Sequence, residues 1–472
     1  MKLQRKTFTC VVVAVIIAGL SISSNSPHST CPIQFGKSTS SIEEQPLEEC
    51  TSIIVTGTAA KDGRAILMKN RDSYETHNVP VYHAATNDTY AFVAVNSMWM
   101  GINEMGLAVM NTAMPDLSEG PDFGSFNGPL NKVILEQCQN VSEVISRLFA
   151  KNDPLIPTEF EAVVASCVGV IDRHGAGAFL EVSNTAVSVE YVVNGYQSRA
   201  NHPRTYDGLA SGPNGRDQYA LDALDRIFDE KGVISWQDVA QEVSRYVQDK
   251  EEGTSSFSIN GEVCNPSTVS AMVAVSGDAR YNGSLNTMWC EYGQVPMIGV
   301  FVPTFVACGQ PPTILDDMVE YTSEKRAYAT GGTSAYNPTR VAQIQEYAFA
   351  AEDYTFEQYD RLMNQIPLGL SQDDLLSTLD AFTDLTVSVA VDMYVNETAI
   401  RPEYAISFDV TATGISPDTS ASTPPSTITY TTSFTNDSNP VFLGNLVIGF
   451  TGGILGVIVI FFVVSRRTIS KT

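Results

Sequence analysis

Cys50-Thr51-Ser52-Ile53-Ile54-Val55, a turn at Asp62-Gly63, and a second run ending Lys69-Asn70-Arg71-Asp72 form the stretch that decides how this chain is read. Two short apolar runs joined by a glycine turn predict a β-hairpin. In such a pair the start of the first strand lies beside the end of the second, so a thiol, a cation and a carboxylate meet. That combination suits a cysteine that has become the first residue of a cut chain. A thiol attacks as its thiolate, and a free α-amine, with a pKa of about 8, takes its proton near neutral pH. A carboxylate orients the amine, and a cation stabilises the thiolate. The expected cut is the Glu49–Cys50 bond, with Cys50 both processing group and nucleophile.

Further motifs follow in order. Gly101-Ile102-Asn103-Glu104-Met105-Gly106-Leu107-Ala108-Val109-Met110-Asn111 reads as a second hairpin, and Arg199-Ala200-Asn201-His202-Pro203 and Ser211-Gly212-Pro213-Asn214-Gly215-Arg216 lie downstream. Together with the first hairpin they resemble the cysteine N-terminal-nucleophile hydrolases: the penicillin acyltransferase, C69 dipeptidase and bile salt hydrolase–penicillin V acylase groups. The resemblance runs from Cys50 to about Pro312. It implies a four-layer αββα sandwich, Asp72 at the nucleophile's amine, Asn111 and Asn201 as oxyanion-hole donors, and an active-site Arg216. Lys69 stands where several relatives carry arginine, which leaves the role of that cation open. The implied reaction is hydrolysis of a linear amide, an N-acyl compound or a small peptide, or acyl transfer to another amine, with no cofactor. Standing alone, Cys50 would read as a disulfide cysteine of an exported protein. His202, beside Asn201, offers a Cys–His arrangement as another route to the same chemistry.

The 472 residues hold a net charge of −25, which disfavours nucleic acid as a partner, because phosphate binding needs a basic surface. With 43% hydrophobic and 17% charged residues the chain has enough apolar material for a sizeable core. No zinc-type Cys/His spacing, P-loop, dinucleotide fingerprint or Gly-x-Ser-x-Gly elbow is present. Short strand-like runs and helices in blocks, without regular alternation, predict an α+β fold. Helices are expected at Asn131 to Leu148, Arg216 to Phe228, Thr339 to Ala351, Phe356 to Asn364 and Gln372 to Thr383, and a late strand at Met297 to Val302.

The ends read as export and anchoring. A basic start and an apolar core predict a signal peptide or signal anchor over 1–25, followed by a prosegment, 26–49. The catalytic body is 50–410 and a Ser/Thr/Pro-rich stalk is 411–440. A transmembrane helix is expected over 441–464. Its charge-free run from Leu446 to Val464 is about 28 Å of helix. Arg466, Arg467 and Lys471 would hold the 465–472 tail in the cytoplasm. That makes a single-pass cell-surface protein with its body outside. Sequons at Asn87, Asn140, Asn282, Asn396 and Asn436 agree with export. Gly449 with Gly453 and Gly452 with Gly456 have the spacing of a helix-dimer face, so a homodimer is a candidate assembly. A catalytically inert surface binding protein on the same scaffold remains the alternative function.

Overall fold

The computed structural model describes residues 50–397 apart from Tyr74, 119–123, 151–154, 156–162, Asn214, 248–261, Pro266, 278–280, Asn282, 292–295, 313–314, 332–335 and Leu368. Chain contacts divide it into two units, Met1–Asn364 with Ser371–Tyr404, and Gln365–Leu370 with Ala405–Thr472. Apart from the last residue of one helix, the elements below lie in the first. The expected signal, prosegment with Glu49, stalk, membrane helix and tail lie outside the described residues. Among the described residues no helix is long and apolar enough to cross a membrane.

The fold is α+β with two antiparallel sheets. Six strands pair in the order β10 (Tyr196–Arg199), β1 (Cys50–Val55), β2 (Ile66–Asp72), β11 (Thr268–Val275), β12 (Thr287–Glu291), β13 (Phe301–Phe305). Seven pair in sequence order: β3 (Pro80–His83), β4 (Phe92–Val95), β5 (Met100–Asn103), β6 (Ala108–Ala113), β7 (Ala165–Ile171), β8 (Gly177–Ser183), β9 (Val187–Val192). The expected first hairpin is present, with Cys50 opposite Arg71, Ser52 opposite Lys69 and Ile54 opposite Leu67. Gly63 supplies the positive φ, +75°, that its turn requires.

Alternation along the strands sorts the side chains. Ile54, Leu67, Met272 and Met288 of one sheet share a core with Val93, Met110, Cys167 and Phe179 of the other, so these faces pack together. The far face of the seven-stranded sheet, with Val109, Val168 and Leu180, packs on α1 (Asn127–Gln137) and α2 (Val141–Phe149). The far face of the six-stranded sheet is covered by α3 (Gly215–Lys231), by α4 (Trp236–Asp238) running into a π-turn at Val239–Val243, and by α6 (Pro338–Gln365) and α7 (Gln372–Asn396). Another helix, α5 (Leu315–Thr330), packs on α7. Trp236 stacks on Trp289 of β12 at 4.5 Å between centroids, and Phe356 of α6 meets Trp236 edge-on at 4.6 Å. Helix, sheet, sheet and helix thus lie in succession, so β1 and β2 are buried at every position.

Several boundaries differ from expectation. The single helix over Asn131 to Leu148 is two, because Asn140 turns extended and its side chain accepts from Glu143 N, capping a new start. The two expected helices at 339–351 and 356–364 are one. The expected strand Met297 to Val302 is β13, shifted to Phe301–Phe305. It carries Pro303 opposite Trp289, which an edge strand tolerates. No described cysteine is in a disulfide: Cys50, Cys138, Cys167, Cys264, Cys290 and Cys308 carry thiols.

Candidate active site

Cys50 opens β1 and is 3% exposed. It shares a strand face with Ser52 and Ile54, and Ile54 belongs to the inter-sheet core, so the thiol is on the side of β1 that faces the second sheet. Two cations of β2 occupy the same face. Arg71 is directly opposite Cys50, and Lys69 is opposite Ser52. The Lys69 ammonium donates to the main-chain carbonyl of Asn111, lies 3.4 Å from Asn111 Oδ1, and sits 5.0 Å from the centroid of the Trp99 ring. Arg71 donates to Asn78 Oδ1 and Ser97 Oγ, each at 2.8 Å, and Trp99 Nε1 also donates to Asn78 Oδ1 at 3.0 Å. Both side chains are thus buried against neutral acceptors and the face of the Trp99 ring.

Asp72 points the other way, toward the helix layer. Its carboxylate accepts from Thr268 Oγ1 at 2.6 Å and Asn265 Nδ2 at 2.9 Å. Thr268 is opposite Asp72 where β11 joins β2, next to a register shift before Ser270. Such a bulge re-aims side chains beside a site. Asn70, on the same face, donates to Ser244 O and Val263 O and ties the strand end to the π-turn. Arg216, in the first turn of α3, has Nε 3.9 Å from Asp72 Oδ2 and donates from its terminal nitrogen to Asn201 Oδ1 at 3.0 Å. Asn201 Oδ1 also accepts from Cys50 N at 2.7 Å, while its Nδ2 donates to Ala113 O at the end of β6.

The structure therefore joins Cys50, Asn201, Arg216 and Asp72 in one chain of contacts. It groups Lys69 with Asn111 on the inter-sheet side. Asn201 presents its acceptor oxygen to the Cys50 nitrogen, and one of its donors is engaged at Ala113. The described contact of His202 is with Asp217, Nε2 to Oδ2 at 3.4 Å. Glu49 lies outside the described residues.

Sequence reasoning passed over Arg71, although the hairpin register alone places it against Cys50. Thr268 and Asn265 reach Asp72 from almost two hundred residues away, which no local pattern signals. Two other thiols border the site. Burial, with Asp72 adding to it, pushes Cys264 up, and burial pushes Cys167 up despite nearby Arg199 and Lys69. Neither has thiolate character at neutral pH. Among the described residues no cluster of His, Cys, Asp and Glu has the makings of a metal site.

Comparison with known proteins gives one family. Residues 58–231 match the family model described as acyl-coenzyme A:6-aminopenicillanic acid acyl-transferase. The matched stretch begins after Cys50 and contains Lys69, Asp72, Asn111, Asn201 and Arg216. Over it the chain resembles the penicillin acyltransferase group, as the motifs indicate. Among solved structures, a conjugated bile acid hydrolase from Clostridium perfringens is 13% identical, the match covering 54% of this chain and 89% of that one at a TM-score of 0.30. Penicillin V acylase from Agrobacterium tumefaciens is 14% identical, covering 54% and 86% at a TM-score of 0.32. No curated protein matches.

Proposed function

We propose that the protein is an amide-cleaving N-terminal-nucleophile hydrolase, or an acyltransferase using the same acyl-enzyme, with Cys50 as nucleophile. The observation that carries this reading is the contact of Cys50 N with Asn201 Oδ1, with Arg216 on the same oxygen and Asp72 behind it. A site that needed only the thiol would have no reason to orient the cysteine's nitrogen. The resemblance to the acyltransferase family supports the reaction class.

The thiol first attacks the carbonyl of Glu49, and water opens the thioester, freeing the Cys50 amine. The amine then takes the thiol proton, the thiolate attacks the substrate carbonyl, and the amine returns the proton to the leaving nitrogen. Asn201 Oδ1 accepts from the amine and fixes its lone pair toward the sulfur. Asp72 and Arg216 set the field around it. Lys69, beside Asn111 on the thiol's face of β2, balances charge on the thiolate and on the developing oxyanion. Asn111 and Asn201 are the proposed oxyanion donors, Asn201 through the amide hydrogen not given to Ala113. One such donor is worth about 3 kcal/mol of barrier. Water or a second amine then releases the acyl group.

Export and a membrane anchor at 441–464 belong to the same proposal. The charge-free run from Leu446 supports them, and protease added to intact cells should release the body and leave a short anchored fragment.

The central test is Cys50→Ala against wild type, by N-terminal sequencing and turnover on a panel of N-acyl amides and small peptides. Wild type should begin at Cys50 and turn over at least one class, while the variant keeps residues before position 50 and is inactive. A variant cut normally at that bond, or equally active, would sink the reading.

A further inference from the structure

We propose that Glu181 and Asp217 are positioning residues, two fully buried carboxylates that clamp the 200–206 segment from opposite sides and present Asn201 to the Cys50 nitrogen. The inference rests on the reading of Cys50 as nucleophile.

The segment leaves β10, at one edge of the six-stranded sheet, and crosses to β8 and β9, at one edge of the seven-stranded sheet. Asn201 and His202 lie at its start. On the β8 side, Glu181 is 0% exposed. Its Oε1 accepts from Arg204 N at 2.7 Å and Arg199 Nε at 3.2 Å, and its Oε2 accepts from Thr205 N at 2.9 Å and Tyr206 N at 2.7 Å. Three successive backbone N–H groups converging on one carboxylate form an anion nest, and here the anion belongs to the protein. Ser183 Oγ on Tyr206 OH at 2.7 Å and Ser188 Oγ on Thr205 O at 3.0 Å add neutral bonds at the same edge.

On the α3 side, Asp217 is also 0% exposed. Its Oδ2 accepts from Arg204 at 2.7 Å and faces His202 at 3.4 Å. Its carbonyl accepts from Ser198 Oγ at 2.7 Å. Asp217 follows Arg216, so the group that holds the segment is one residue from the group that shares Asn201 Oδ1 with the nucleophile. Both carboxylates act on backbone or on the side chains of Arg199, His202 and Arg204, and neither is among the described contacts of Cys50. Their effect on chemistry passes through Asn201.

A shape-conserving change that removes the charge isolates the role. In Glu181→Gln one oxygen becomes an NH2 group, which cannot accept, so two of the donors meet a donor. Asp217→Asn weakens the opposite side. Both are made in the full chain and read by kcat and KM on the amide found active, and by a pH series of Cys50 alkylation with iodoacetamide. Glu181→Gln should lower kcat about 10- to 100-fold with KM within about twofold, as displaced catalytic groups do. The alkylation midpoint should move up by about half a pH unit or more as Asn201, and Arg216 with it, shifts relative to Cys50. Should Glu181→Gln fail to fold, Arg204→Ala removes the Asp217 contact, keeps the nest, and should give a smaller shift in the same direction. A lowered melting temperature with kcat and the alkylation profile unchanged overturns the proposal. Wild type without Cys50-dependent turnover defeats the nucleophile reading instead, and the alkylation series then decides the clamp alone.

Discussion

Glu181 and Glu291 are equally buried, each 0% exposed, one in each sheet, and they differ in what meets their oxygens. Glu181 has four donors on its two oxygens. Glu291, at the end of β12, has no hydrogen-bond partner for either oxygen. Burial pushes Glu291 up to about 8, more than the neighbouring Arg245 offsets, and Glu352 pushes in the same direction. Arg245 is taken by Glu352 at 2.6 and 2.8 Å and by the carbonyls of Pro296 and Gly299. Partners, not depth, decide whether a buried carboxyl is an ion. The groups around Cys50 are of the first kind. Removing charge there should cost turnover, and removing the Glu291 carboxyl should change only how stability follows pH.

The largest effect is expected from Asp72→Asn. The variant keeps the shape and a hydrogen-bonding group for Thr268 but loses the charge beside Arg216, so kcat should fall on the order of 100-fold while the melting temperature changes little. Unaltered turnover would move Asp72 from the site side of the comparison to the structural side. Next is Arg216→Ala, with turnover down about tenfold and Cys50 alkylation shifted to higher pH as a permanent cation is lost. Arg216→Lys should restore only part, since one ammonium does not reproduce the fork between Asn201 and Asp72.

Glu291→Gln probes the other side. Because the folded carboxyl titrates above its unfolded range, the folded chain keeps a proton that the unfolded chain gives up. The stability this residue contributes is full below the unfolded pKa and is lost as pH rises toward 8. The variant should therefore melt a few degrees higher than wild type at pH 8, match it near pH 4, and turn over substrate normally. A gap that stays constant across pH would mean that Glu291 is ionised in the fold. The smallest effect is expected from Trp99→Phe, which loses the bond to Asn78 but keeps a ring under Lys69 and Arg71. A cost of about 1 kcal/mol in denaturant titration fits one neutral hydrogen bond. A much larger cost would show that the cations depend on the indole N–H.

How much of this was legible follows from where each contact comes from. The β1–β2 hairpin is local, so its turn, its register and the meeting of Cys50 with the end of β2 could be read from spacing. The helix break at Asn140 was also local but needed the side chain's cap to be weighed against the apolar run. Pro303 hid β13, because a proline argues against a strand unless its edge position is known. Thr268, Asn265 and Glu181 could not be found in sequence. Thr268 and Asn265 are brought to Asp72 by β11, the partners of Glu181 arrive through the segment after β10, and these residue types are unremarkable until the sheets are assembled.

The place of β1 between β10 and β2 has a consequence for the chain end that cleavage would create. Chain ends ordinarily fray, and their first residues sample many conformations. Here the new end would begin inside a sheet, with strands paired on both sides, every residue of β1 buried, and an acceptor 2.7 Å from its first nitrogen. Cutting would change the covalent chain without loosening it. The freed terminus would behave as an interior residue that happens to carry an amine, and its conformational entropy would already have been given up when the uncut chain folded.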